Sequence, residues 1–177
     1  ISTDDAISFV TAGVRLANGS DISVASGGGA ISVAGGIDGT SSEDVSLVSV
    51  GGTTNTVSVG PIGATVDSIN TVALQGTVSV TLNGNISTSN AVGNTVTVTG
   101  PCLLGVGVTI DTDTAGVDGN VDLTGTVNGA AGLTVTSGGA TVRVGGGVTT
   151  VGAQAVTAAT IQTNGTHQTT NTNITLT

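Results

Sequence analysis

The chain has 177 residues, enough for one domain, and Thr (33), Gly (30) and Val (27) supply 90 of them; such a bias excludes an average globular enzyme, and so many β-branched residues exclude disorder. Ten Asp and one Glu against two Arg and no Lys give a net charge of −9, with one Phe and no Tyr or Trp. That charge repels phosphate backbones and leaves no platform for stacking bases, so nucleic acid is excluded as a partner.

In chain order, the first predicted strands are Ile7-Ser8-Phe9-Val10, Val14-Arg15-Leu16 and Ile22-Ser23-Val24. They follow an acidic turn at Asp4-Asp5 and are punctuated by Asn18-Gly19 and Gly27-Gly28-Gly29. Ile31-Ser32-Val33 comes next, then a polar loop from Ile37 to Asp44 that holds Asp38, Glu43 and Asp44. Further runs are Val45 to Val50, Val57-Ser58-Val59, Pro61-Ile62-Gly63, Val72-Ala73-Leu74 and Val78 to Leu82. After the Asn83-Gly84-Asn85 turn come Ile86, Val96-Thr97-Val98 and an apolar run from Cys102 to Ile110.

The pattern is densest from Val106 to Val144. There Val108-Thr109-Ile110, Val121-Asp122-Leu123, Leu133 to Thr136 and Val142-Arg143-Val144 alternate between Gly, Asn and Asp turns. The tail (Val148, Val151, Val156, Ile161, Ile174-Thr175-Leu176) alternates more weakly. No window carries apolar residues at i, i+3, i+4 and i+7 over three turns, so no helix is predicted.

Runs beginning near Ile22, Val45, Val72, Val96 and Val121 recur at roughly two dozen residues, with Ile31, Val57, Val78, Val106 and Leu133 between them. Two or three short strands per period predict an all-β fold, a right-handed parallel β-helix (β-solenoid) of about eight coils, roughly 38 Å long at ~4.8 Å per coil. A lone coil burying roughly five or six aliphatic side chains cannot offset the ordering of its backbone, so each coil needs neighbours. The competing architecture is an antiparallel β-sandwich of the pilus-subunit type, which also has short strands with frequent turns. It calls for larger, often aromatic core residues, and only Phe9 is available.

The whole of 1–177 reads as a single solenoid segment. Because it begins with Ile1 and contains no Met, it is expected to be a processed or excerpted part of a longer repetitive chain. Its longest uncharged apolar stretch, about Pro101 to Ile110, is too short for a spanning helix. Barrel strands with aromatic girdles are missing as well, so membrane insertion is not expected.

The segments Asp111 to Val148 (DTDTAGVDGNVDLTGTVNGAAGLTVTSGGATVRVGGGV) and Val80 to Gly100 (VTLNGNISTSNAVGNTVTVTG) carry a resemblance. In composition and period they resemble the β-strand repeats of large repetitive bacterial surface proteins, the filamentous-haemagglutinin-like adhesins and related exoproteins. The resemblance is best from about Val78 to Ala155. It implies secretion, a right-handed β-helical shaft, and a role in adhesion, matrix or filament formation. It transfers no binding residue, because shaft repeats in such proteins act mostly as spacers.

The densest acidic cluster is Asp111, Asp113, Asp118 and Asp122. Asp111-Thr112-Asp113 with Gly116 at the sixth position matches the start of a helix-loop-helix calcium loop, but Ala115 is fifth, Asp122 replaces Glu at the twelfth, and no helices flank it. A looser calcium site between coils is the one cofactor reading left open, against four solvated turn aspartates. Gly35-Gly36-Ile37-Asp38-Gly39 is only a fragment of the calcium nonapeptide of secreted toxins.

Polysaccharide hydrolases and lyases also use parallel β-helices, with paired carboxylates. Asp4-Asp5 and Glu43-Asp44 are the adjacent pairs; strand neighbours would point to opposite faces, and both pairs are expected in turns. With no Lys and no aromatic floor for a sugar, no catalytic residue is assigned and enzyme activity is not expected. His167 lies alone in a polar tail, and the lone Cys102 is expected to be a small buried hydrophobe. Arg15 and Arg143 should point to water. Asn18, Asn85, Asn164 and Asn173 begin Asn-x-Ser/Thr sequons, which matter only if the source glycosylates.

These readings converge on a non-enzymatic structural or adhesive shaft of an extracellular, cell-surface protein. Its expected partners are neighbouring repeats, copies of itself, or a host or matrix surface. The alternative is a subunit of a secreted bacterial filament joined coil on coil or by strand exchange.

Overall fold

A computed structural model of the chain describes residues 5–10, 13–64, 69–88, 93–114 and 117–177. Among them every regular element is a β-strand and none is a helix. The strands stack as a right-handed parallel β-helix with seven full rungs and two sides of an eighth. At ~4.8 Å per rung the seven span about 34 Å.

Each full rung contributes a strand, or at Ile62 a single bridge, to each of three faces. Face A stacks Ile7–Phe9, Ile31–Val33, Thr56–Val59, Ser79–Leu82, Cys102–Leu104, Val127–Gly129, Val148–Thr150 and His167–Thr169. Face B runs from Val14–Arg15 and Ile37–Asp38 through a bridge at Ile62 to Ile86–Ser87, Val108–Asp111, Leu133–Thr136, Gln154–Thr157 and Ile174–Leu176. Face C comprises Ile22–Ser26, Glu43–Ser49, Ile69–Gly76, Thr95–Thr99, Asn120–Leu123, Thr141–Val144 and Thr160–Thr163.

Alternation within strands makes the core. In Glu43–Ser49 every second side chain is buried, and the ones between are half-buried on the outer side. Parallel pairing then sets like on like. On face C, Ile22, Val45, Val72, Val96, Val121, Val142 and Ile161 form one column, and Val24, Leu47, Leu74, Val98, Leu123 and Val144 form the next. On face B, Ile37, Ile62, Ile86 and Ile110 continue into Val135 and Val156.

The periodic series Ile22 to Val121 is therefore a physical column. The intervening series is only partly one: Ile31 and Val57 belong to face A, but the column continues through Val80, Cys102, Val127 and Val148. Val78 and Val106 lie at corners, 47% and 43% exposed, and Leu133 is on face B. A corner valine and an inward valine two residues later look alike to a count of apolar residues. For the same reason the apolar run from Cys102 to Ile110 is two strands around a corner.

Two further expectations change. Glu43 and Asp44 are not in a turn but open a strand of face C. The tail stacks as regularly as the middle, although its alternation is blurred, because polar Thr150 and Gln154 occupy buried positions.

One corner shows why glycine is so abundant. Between faces C and A, a Cβ on Gly125 would strike the carbonyl of Gly100, one on Gly146 would strike the backbone of Gly125, and one on Gly165 that of Gly146 and Gly147. Gly100 also has φ of 105°, a left-handed conformation that glycine adopts freely. Rung length varies along the rod: Ile31 stands beside Val57, 26 residues on, whereas Val148 stands beside His167, 19 residues on.

Candidate functional site

The connections from face B to face C run to six to eight residues in the third to fifth rungs, and shorten to four (137–140) and two (158–159) in the sixth and seventh. Most of the chain's carboxylates lie in or beside these connections. The largest excursion at this corner follows Asp111: Asp113–Thr114 pairs antiparallel with Val117–Asp118, the one antiparallel pairing among the described residues. Buried hydroxyls close its base, because Thr112 Oγ1 and Ser137 Oγ both donate to the Gly119 carbonyl, at 2.6 and 2.7 Å.

The excursion brings three of the four predicted aspartates together. Asp113 stands opposite Asp118 and hydrogen-bonds to it, and Asp111 accepts the Asp113 N–H at 3.1 Å. Asp118 accepts the Gly139 N–H of the next rung at 2.6 Å. Desolvation, the bond to Asp118 and repulsion from Asp118 and Asp111 raise the Asp113 pKa.

Asp122 is elsewhere. It lies on face C with one carboxylate oxygen 3.6 Å from Arg143 Nη1, in register with it across the rungs. Among the described residues no group of three or more His, Cys, Asp or Glu side chains is disposed to hold a metal ion. Chemically, Asp113 and Asp118 are two adjacent, exposed carboxyl groups.

Glu43 is the corner's second acidic feature, and it is fully buried. Its carboxylate accepts the N–H groups of Thr40 and Ser41 at 2.9 Å each, the Thr40 hydroxyl at 3.2 Å, and the Gly19 N–H of the preceding rung at 3.1 Å. Burial pushes its pKa up, but the bonds from Ser41, Thr40 and Gly19 outweigh that and hold it at about 2. Glu43 is thus an ionised clamp between the first two rungs. Asp44 does separate work: its Oδ1 accepts the N–H and hydroxyl of Thr71 in the next rung.

That bond belongs to a series that sequence reasoning missed. Asp21 accepts from Asp44 N–H, Asn85 from Thr109 N–H and Asn120 from Thr141 N–H, each one rung on. The signal available was an Asp or Asn beside the start of a strand, recurring at the rung period.

The other singled-out residues are soon placed. Asp4 lies outside the described residues. Arg15 and Arg143 are exposed. Asn18, Asn85, Asn164 and Asn173 are all exposed. Cys102 is buried in face A, and burial pushes its thiol up to about 12, an inert hydrophobe in practice. His167 is half-buried on the last rung of face A, against Gln154. No helix among the described residues is long and apolar enough to cross a membrane. No protein family, no curated protein and no solved structure matches this chain.

Proposed function

We propose that the chain is a rigid, non-enzymatic shaft segment of an extracellular surface adhesin, similar in role to the repeats of filamentous-haemagglutinin-like exoproteins. The observation that carries this reading is the set of three parallel ladders running the length of the described rod around one aliphatic core. A continuous ladder resists bending, because every rung is hydrogen-bonded to the rungs above and below it. The outer sides, rich in Thr, Ser and Asn, suit weak, repeated contact with a host or matrix surface. Antibodies raised against the 177-residue chain test the location on intact source cells. Labelling of intact cells supports a surface shaft, and labelling only after lysis overturns it.

A second reading, a filament subunit stacked coil on coil, has its own observation. Phe9 on the face A strand Ile7–Phe9 is 37% exposed, and Ile174 and Leu176 on face B are 40% and 43% exposed, so apolar surface is offered to another coil. Electron microscopy separates the two readings: tethered single rods favour the shaft, and fibres with a constant axial repeat of one subunit favour the filament.

A further inference from the structure

The last rungs of the rod differ from the rest in charge. All eleven acidic residues lie at or before Asp122, and from Val144 to Thr177 there is no Asp, Glu, Lys or Arg. The single histidine of the chain sits in this neutral zone. His167 continues the face A column that runs through Val80, Cys102, Val127 and Val148, a place built for an aliphatic side chain.

Its proton positions follow from the neighbours. The Gln154 side chain is buried, and its Nε2 faces the carbonyls of Gln168 at 2.6 Å and Val148 at 3.3 Å and the Thr150 hydroxyl oxygen at 3.1 Å. The Thr150 hydroxyl proton is already given to the Gly152 carbonyl at 2.6 Å. All three partners are therefore acceptors, and the amide cannot be turned the other way without setting oxygen against oxygen. Gln154 Oε1 is then the atom 2.9 Å from His167 Nδ1, so Nδ1 carries the proton and donates it. The other ring nitrogen, Nε2, is buried with no hydrogen-bond partner. It tolerates a bare lone pair there, whereas an N–H would be stranded.

The geometry points to a pH-set latch between two neighbouring rungs: protonation of His167 at Nε2 breaks the Thr150–Gln154–His167 lock and loosens His167–Thr169 and Ile174–Leu176 from Val148–Thr150 and Gln154–Thr157. No countercharge opposes this. The strands packed against His167, namely Val148–Thr150, Gln154–Thr157 and Ile174–Leu176, contain no other ionisable side chain, and Arg143 faces Asp122 on face C. Burial lowers the His167 pKa, in keeping with a site that rejects the second proton. Loosening at this level bares the strand edges of Val148–Thr150 and Gln154–Thr157, which makes mild acid a signal for opening the ladder between these two rungs.

With one histidine in the 177-residue chain, nitrogen-detected NMR of the imidazole reads both tautomer and titration without assignment. The expected result is the Nδ1–H tautomer, a midpoint below that of a free histidine, and coincident loss of amide protection in 145–177. Hydrogen exchange corrected for its intrinsic pH dependence should show protection there falling about fivefold or more from pH 7.5 to pH 5, the scale set by one stranded buried donor. Protection of 69–104 should be unchanged. His167→Val, which extends the aliphatic column, should abolish the pH-dependent loss. An Nε2–H tautomer, an ordinary or raised midpoint, equal loss in both regions, or the same loss in His167→Val would each overturn the latch.

Discussion

Leu74→Ala tests the stacking directly when it is set against Leu176→Ala. Leu74 is 1% exposed and lies in the face C column between Leu47 and Val98, with a rung on either side. Truncation removes three carbon atoms' worth of buried apolar surface, about 2.4 kcal/mol at ~0.8 kcal/mol per methylene, and leaves a cavity that neighbouring rungs cannot collapse without breaking their ladders. Together these give about 3–4 kcal/mol. Leu176 is 43% exposed and is stacked on Val156 alone, so the same change should cost about 1 kcal/mol or less. Urea unfolding gives the global difference, and hydrogen exchange locates it: the Leu74 variant should lose protection in rungs 2 to 4 and the Leu176 variant only beyond Val148. Near-equal costs, or protection lost evenly along the chain, would refute the claim that rungs are stabilised chiefly by nearest neighbours.

Four other outcomes follow from the same geometry. Glu43→Ala strands the Thr40, Ser41 and Gly19 N–H groups and should cost about 2 kcal/mol or more, read by denaturant midpoint. Because its folded pKa of about 2 lies below the ordinary value of 4.5, the Glu43 contribution is complete above pH 4.5 and fades as the pH falls toward 2; an acid titration of the Glu43→Ala variant should lack that loss. Asp113 has a raised pKa, so its carboxyl destabilises the fold as the pH rises through that value. Asp113→Asn should therefore raise the melting temperature at pH 7 and change it less at pH 3. Gly125→Val drives a side chain into the Gly100 carbonyl and should cost about 3 kcal/mol or prevent folding, seen as loss of the β-sheet circular dichroism signal. Arg143→Ala should cost only about 0.5 kcal/mol, since Arg143 is exposed and its ion pair with the half-buried Asp122 is 3.6 Å long.

How far the architecture was readable depended on which residues repeat. Where inward positions are Val, Ile or Leu in successive rungs, as in Ile22 to Val121, period and face are legible together, because the ladder forces identical environments to recur. Where corners also carry valine, as at Val78 and Val106, the chain holds no local mark of which valine turns inward. The polar interior was less legible still. Glu43 reads as a loop acid because the Gly19 N–H meets it only once two rungs are stacked, while Thr40 and Ser41 bond to it locally. Similarly, Gln154 and His167 form a lock across 13 residues of sequence that no spacing rule associates. The acidic cluster was half legible: adjacency in sequence brings Asp111, Asp113 and Asp118 into one excursion, whereas the strand that follows carries Asp122 off to another face.

The variation in rung length, between 26 residues and 19 on face A, separates two quantities that most folds tie together. Hydrogen-bond spacing fixes the advance along the axis, so added residues widen a level or decorate its corner without lengthening the molecule. Reach is therefore counted in levels, and the B-to-C corner is free to gain or lose sequence. Such a ruler keeps its graduations while its margin is rewritten.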